Sequence, residues 1–185
     1  MSSRLLNNII HTGNYNNGGI TEVHILDIRD FVSYRFQDDS LFDNCYVEKI
    51  TASSLFSELG SVDESYFTES QNNGIYKQEL TTFVRTVEAN KTAGLLTASF
   101  SNYLVAFRNT QGKMYCFGSD GGASLSYVQQ SGKVGEVTGY QVTLSKESIY
   151  PLFELNPDGY NSIEVLATEY GIPIITEDQE STIKV

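Results

Sequence analysis

The 185-residue chain has no tryptophan, two cysteines, two histidines, three prolines, and only 12 basic residues against 23 acidic ones. Each shortage removes a class of function. Cys45 and Cys116 lie far apart in no Cys-x-x-Cys or Cys/His spacing, so neither a zinc site nor a disulfide framework is indicated, and buried free thiols are expected. His11 falls in a polar amino-terminal stretch and His24 in a predicted strand, which leaves general-base and metal chemistry without partners at workable spacing. No Gly-x-Ser-x-Gly elbow, Walker-type loop or Gly-x-Gly-x-x-Gly turn occurs, so the common nucleophile and phosphate cradles are missing. The run Gly118-Ser119-Asp120-Gly121-Gly122 lacks the alternating acids of a calcium loop and reads as a tight turn. Paired carboxylates of the glycosidase kind stay open, although no tryptophan is present to form a sugar platform. No catalytic residue, cofactor or metal is expected.

No apolar run reaches the roughly 18 residues of a membrane span, and the start, MSSRLLNNIIHTG, lacks the apolar core of a signal peptide. A soluble chain made in a cytoplasm, with no membrane embedding, is the expectation. The net charge of −11 repels phosphate, which argues against sequence-specific nucleic-acid binding. Asp38-Asp39, Asp63-Glu64 and Glu177-Asp178 place that excess in segments that read as loops or ends.

What the chain does have is tyrosine and phenylalanine, 12 and 10 of them, in short alternations suited to strands. Strands are expected at 21–28, 31–36, 46–51, 74–87, 103–108, 113–117, 123–129 and 137–148, with shorter ones at 163–167 and 172–176. Between 103–108 and 113–117, Asn109-Thr110-Gln111-Gly112 has hairpin length. One helix is expected over 88–101, where Ala89, Ala93, Leu96 and Phe100 recur at spacings of four, three and four and mark an apolar stripe. The reading is mainly β: a sandwich or barrel of about seven strands with one flanking α-helix and an extended carboxy-terminal arm.

Residues 1–21, rich in Asn and Gly, read as an amino-terminal arm, 22–151 as the barrel domain closed by Pro151, and 152–185 as an extension. Within the barrel, 52–73 lacks clean periodicity and reads as a long loop serving assembly, with Leu55, Phe56, Tyr66 and Phe67 as its apolar anchors. Ile172, Ile174 and Ile175 make the tail too apolar to leave in water, so it is expected to lie on a neighbouring surface.

The order of long strand, helix, hairpin Gly112-Lys113-Met114-Tyr115-Cys116-Phe117-Gly118, hinge at Gly122, and final strand Gly139-Tyr140-Gln141-Val142-Thr143-Leu144 followed by Lys146-Glu147-Ser148 resembles bacteriophage tail tube proteins. The likeness is closest to those of Bacteroidetes phages and prophages. It covers roughly 74–151, and Gly112, Tyr115, Phe117, Gly118, Gly122, Gly139, Tyr140, Thr143 and Leu144 carry it. It implies a non-enzymatic subunit, made in a bacterial host and placed in the virion tail, that forms six-membered stacked rings around an acidic channel for DNA. Its partners would be its own copies, other tail proteins and DNA passing non-specifically through the lumen. The residues after 151 depart from the tube pattern, which leaves a tail terminator, adaptor or distal tail protein as alternatives. A carbohydrate-binding module of a phage fibre would cluster its exposed aromatics, whereas Tyr15, Tyr34 and Tyr160 are scattered along the chain.

Overall fold

The computed structural model describes residues 18–36, 45–59, 65–133, 137–160 and 162–163. They form twelve strands and one α-helix, a mainly β fold with a single flanking helix. The strands are β1 (Ile20–Asp27), β2 (Phe31–Phe36), β3 (Tyr46–Ala52), β4 (Ser57–Glu58), β5 (Tyr66–Asn72), β6 (Ile75–Arg85), β7 (Asn102–Asn109), β8 (Met114–Phe117), β9 (Ala123–Gln130), β10 (Gly139–Ser148), β11 (Phe153–Leu155) and β12 (Ser162–Ile163), and the helix is α1 (Ala89–Ala98). A 3-10 turn over Ile28–Asp30 separates β1 from β2.

All strands join one hydrogen-bonded network, ordered β12-β3-β11-β8-β7-β9-β10-β6-β5, with β1 on β7 and β2 on β3. Its centre is β7. Leu104, Val105 and Ala106 are fully buried, because Tyr103, Val105 and Phe107 enter one core while Leu104 and Ala106 enter a second on the opposite face. A strand apolar on both faces reads as a continuous run, as YLVAF does here. The hairpin partner β8 repeats the division, giving Phe117 to the first core and Met114 and Cys116 to the second.

The first core is walled by β1, β5, β6, β7, β9 and β10 and holds Leu80, Leu125, Tyr140, Val142 and Leu144. Leu95 plugs it from α1. A ten-residue helix with a central glycine is marginal alone; here Leu95 and a 2.5 Å hydrogen bond between the Thr92 and Tyr140 hydroxyls hold it down. The second core lies among β2, β3, β8 and β11, with Val47, Ile50, Phe153 and Leu155 inside.

Four expectations are corrected. The described residues hold twelve strands rather than about seven, because no periodicity marks β4, β5 or β11. The stretch 52–73 is no single loop: β5 occupies Tyr66–Asn72 and pairs along its whole length with β6. The β body continues past Pro151, since Phe153 and Leu155 are 1% exposed and β11 pairs with β8 and β3. The apolar stripe of the helix faces outward, with Leu96 50% and Phe100 83% exposed, while the neighbouring Leu95 is buried. Spacing identifies a face of a helix without saying which way that face points.

The expected amino-terminal arm ends sooner than residue 21, since Ile20 already sits in the first core, and residues 1–17 lie outside the described segments. The strand expected at 163–167 is described only at Ser162–Ile163. The one expected at 172–176 lies outside the described residues.

Candidate functional site: two open edges of one sheet

Among the described residues no cluster of three or more His, Cys, Asp or Glu side chains could hold a metal ion. His24 lies 3.5 Å from Glu22, whose carboxylate also takes a 2.9 Å bond from Arg108 Nε. That bond, set against some desolvation, holds the Glu22 carboxyl below its ordinary range. This is a surface ion network spanning β1 and β7. Burial pushes the Cys116 thiol up to about 12, so it stays protonated. An open groove of about 340 Å³ runs along Ser65, Tyr66, Thr81, Phe83, Gln130 and Gln141 on the outside of the sheet, and a smaller one of about 210 Å³ opens over Tyr34, Phe36 and Phe153 at the second core.

The feature that stands out is the four-stranded stretch β9-β10-β6-β5. Every neighbouring pair in it is antiparallel, so β9 and β5, at its two ends, run in opposite directions. Both ends are open. β5 pairs with β6 alone, and β9 meets β7 only through Ala123 and Ser124 before diverging from it. Backbone N–H and C=O groups on the outer sides of Leu125–Gln130 and Tyr66–Asn72 thus have no strand partner among the described residues. Monomeric proteins protect such edges with lysine, proline or a covering element, and neither YFTESQN nor ASLSYVQQ contains Lys, Arg or Pro.

The local sequence explains why β5 folds this way. Asn73 and Gly74 both take positive φ, 51° and 83°, the two-residue turn whose twist suits a hairpin and which Asn-Gly favours. On the inner side of β5, Phe67 packs against Phe107 and Phe117 at ring distances of 5.1 and 5.4 Å. Glu69 accepts bonds from Gln78 Nε2 and the Leu152 backbone N–H, each at 2.8 Å. These contacts hold β5 in place while no described strand covers its outer edge.

The outward face of this sheet carries Ser124, Ser126, Gln130, Gln141, Thr143, Ser145, Thr68 and Ser70, with the exposed apolar side chains of Tyr66, Ile75 and Val128 among them. Its charged members are Lys77, Glu79, Arg85 and Glu147, two of each sign. The acidic excess lies elsewhere: the described segments hold twelve acidic and ten basic residues, and the remaining eleven acids and two bases fall outside them. All three acidic runs singled out in the sequence are among the latter.

The anticipated anchors divide. Leu55 is 53% and Tyr66 49% exposed, and Tyr66 lies on the outer face at the start of β5. Phe56 is buried against Tyr160, ring centroids 5.7 Å apart, and Phe67 packs in the first core. Ile172, Ile174 and Ile175 lie outside the described residues. The residues of the family likeness serve the fold. Phe117, Tyr140 and Leu144 are buried in the first core, and Tyr115 packs on Phe107. Gly112 closes the β7–β8 turn at φ 82°, Gly118 and Gly122 bracket the turn into β9, and Gly139 has no room for a Cβ against the Val84 carbonyl and the Phe83 ring. Thr143, between Thr81 and Ser126, lies on the outward face, as Gly139 does between Arg85 and Gln130. Sequence reading missed the open edge of β5, although Asn73-Gly74 signals a hairpin there.

Comparison with known proteins found no matching family model, no matching curated protein and no matching solved structure. Among the described residues no helix is long and apolar enough to cross a membrane.

Proposed function

We propose that the chain is a structural subunit of a phage tail tube or related injection tube, which assembles with copies of itself into stacked rings around a channel for DNA. The observation that carries this reading is the pair of unprotected edges on one four-stranded antiparallel sheet. Because the strands alternate and their number is even, rotating a copy about a ring axis sets β5 beside the neighbour's β9 in antiparallel orientation. Head-to-tail contacts of this kind close into rings when the rotation allows and satisfy the free edge groups on both partners. The order of elements resembling tube proteins supports the same reading.

Six copies, the number the resemblance implies, contribute four strands each. At about 4.8 Å per strand and a tilt of about 40°, they describe a backbone circle about 48 Å across, which stays open after about 5 Å of side chain on each side. A channel lined by this sheet is neutral and rich in hydroxyls and amides rather than acidic. It lets DNA slide because it offers no array of cations to release the counterions of the polymer.

Electron microscopy and sedimentation of the purified chain test this reading. Rings or tubes are expected, and a variant carrying Thr68→Lys and Ser126→Lys, which places one cation on each edge, should remain monomeric with an unchanged circular dichroism spectrum. Rings that form but never stack would favour a terminator or adaptor. A wild-type chain that stays monomeric at every concentration sinks the proposal.

A further inference from the structure

Where β2, β11 and the turn after β10 meet, the second core opens to the surface. Tyr34, Phe36, Tyr150 and Phe153, with Ser119 beside them, line a pocket of about 210 Å³. Phe153 is its buried floor, 1% exposed, and the other three rings are half-buried walls. We infer that this pocket binds a quaternary ammonium group, the trimethylated cation of choline-like molecules, at a place separate from the open edges of the four-stranded stretch.

The rings stand as the sides of a cage rather than as a stack. Tyr34 and Phe36 have centroids 6.0 Å apart at 84°, Tyr34 and Phe153 5.8 Å apart at 81°, and Phe36 and Phe153 5.5 Å apart at 65°. Tyr150 closes a further side, 6.2 Å from Phe153. Three rings set nearly at right angles around a shared pocket at such separations stand about 4 Å from its centre, inside the roughly 6 Å at which a cation is drawn to an aromatic face. Alternation along β2 brings Tyr34 and Phe36 to this pocket together.

Charge selects a cation, and hydration selects a quaternary one. Glu69 accepts from the Leu152 N–H at 2.8 Å, which holds its carboxylate beside the segment carrying Tyr150 and Phe153, and its other bond comes from the uncharged Gln78 amide. The same amide donates to the Tyr150 carbonyl at 3.2 Å. The influence of Glu69 reaches the rim of the second core, where burial and this carboxylate push the Cys45 thiol up. Asp120, which follows Ser119, is paired with Lys146 at 3.6 Å, and Arg35 with Glu48 at 3.1 Å, so neither pair adds net charge at the pocket. A primary ammonium brings three N–H donors that a wall of rings leaves mostly unsatisfied. A quaternary nitrogen brings none. A cavity of about 150 Å³ holds a benzene, so the volume here admits a trimethylammonium group.

Equilibrium dialysis of the full chain against choline tests the inference, with the neutral carbon isostere 3,3-dimethylbutan-1-ol as control. Choline should bind saturably and about tenfold or more tighter than the isostere. Phe36→Leu, which keeps an apolar wall and removes one ring, should weaken choline about tenfold and shift the isostere by less than about twofold, with an unchanged circular dichroism spectrum. The comparison of the two ligands on the unaltered chain decides the matter whether or not that variant folds. Sedimentation with phosphatidylcholine vesicles that choline reverses assigns the cation to a lipid headgroup, and choline binding without vesicle binding assigns it to a free small molecule. Equal affinity for choline and the isostere, or no saturable choline binding, overturns the inference, as does a folded Phe36→Leu chain that binds choline unchanged.

Discussion

Two glycines show how sharply the backbone discriminates between positions. Gly122 has φ +80°, and a Cβ there would stand 2.6 Å from Asn102 Cβ and 2.8 Å from the Tyr103 nitrogen, so Gly122→Ala combines a disfavoured conformation with a clash. It should lower unfolding free energy by more than about 2 kcal/mol in urea titrations. Gly94 sits in the α1 interior, and a methyl group on its Cα would meet nothing within 4 Å, so Gly94→Ala should instead raise stability by about 0.5–1 kcal/mol. A third expectation concerns Cys116. Its pKa is raised by burial from 9.0 to about 12, so the folded state favours the neutral thiol. The stability this contributes is complete below about pH 9 and declines as pH rises from there toward 12. A thiol reagent should therefore label Cys45, which is half-buried, and reach Cys116 only at the rate of unfolding; equal rates for both would contradict this burial.

At the scale of elements, legibility tracks how each strand is buried. The strands expected at 31–36, 103–108, 123–129 and 137–148 announce themselves because alternation or a doubly apolar run reflects burial on one or two faces, as with Leu104 and Val105 in β7. β5 is hidden because TESQN is polar on both faces of an open edge, so no periodicity marks it, and only the Asn73-Gly74 turn betrays the hairpin. β11 is three residues long, too short to carry a period, and is set by its place between β3 and β8. A boundary at Pro151 therefore cuts through the second core. A chain ending there loses Phe153 and Leu155, each worth about 1.5–3 kcal/mol on burial, a large part of an ordinary domain's roughly 5–15 kcal/mol. It should melt far lower or fail to fold by circular dichroism, whereas a chain ending at Ile163 should keep a cooperative transition. Equal melting temperatures for the two would show that β11 is dispensable.

For the molecule as a whole, charge and edges oppose each other, and the balance is measurable. The open edges of β5 and β9 favour association at short range, while each copy brings a net charge of −11 that repels its neighbours. Only −2 of that charge belongs to the described β body, from twelve acidic and ten basic residues, so the repulsion comes mostly from segments outside the paired strands. Raising ionic strength from about 0.01 M to about 1 M shortens the Debye length from roughly 30 Å to roughly 3 Å. Edge hydrogen bonds are little affected by that change. The concentration at which rings appear in sedimentation should consequently fall several-fold with added salt, the reverse of a salt-bridged assembly. Ending the chain at Ile163 removes five acids and one lysine and leaves −7, so its threshold should start lower and depend less on salt. Assembly that weakens with salt would mean that ion pairs such as Lys77–Glu147 on the outward face, and not the unpaired edges, join the copies.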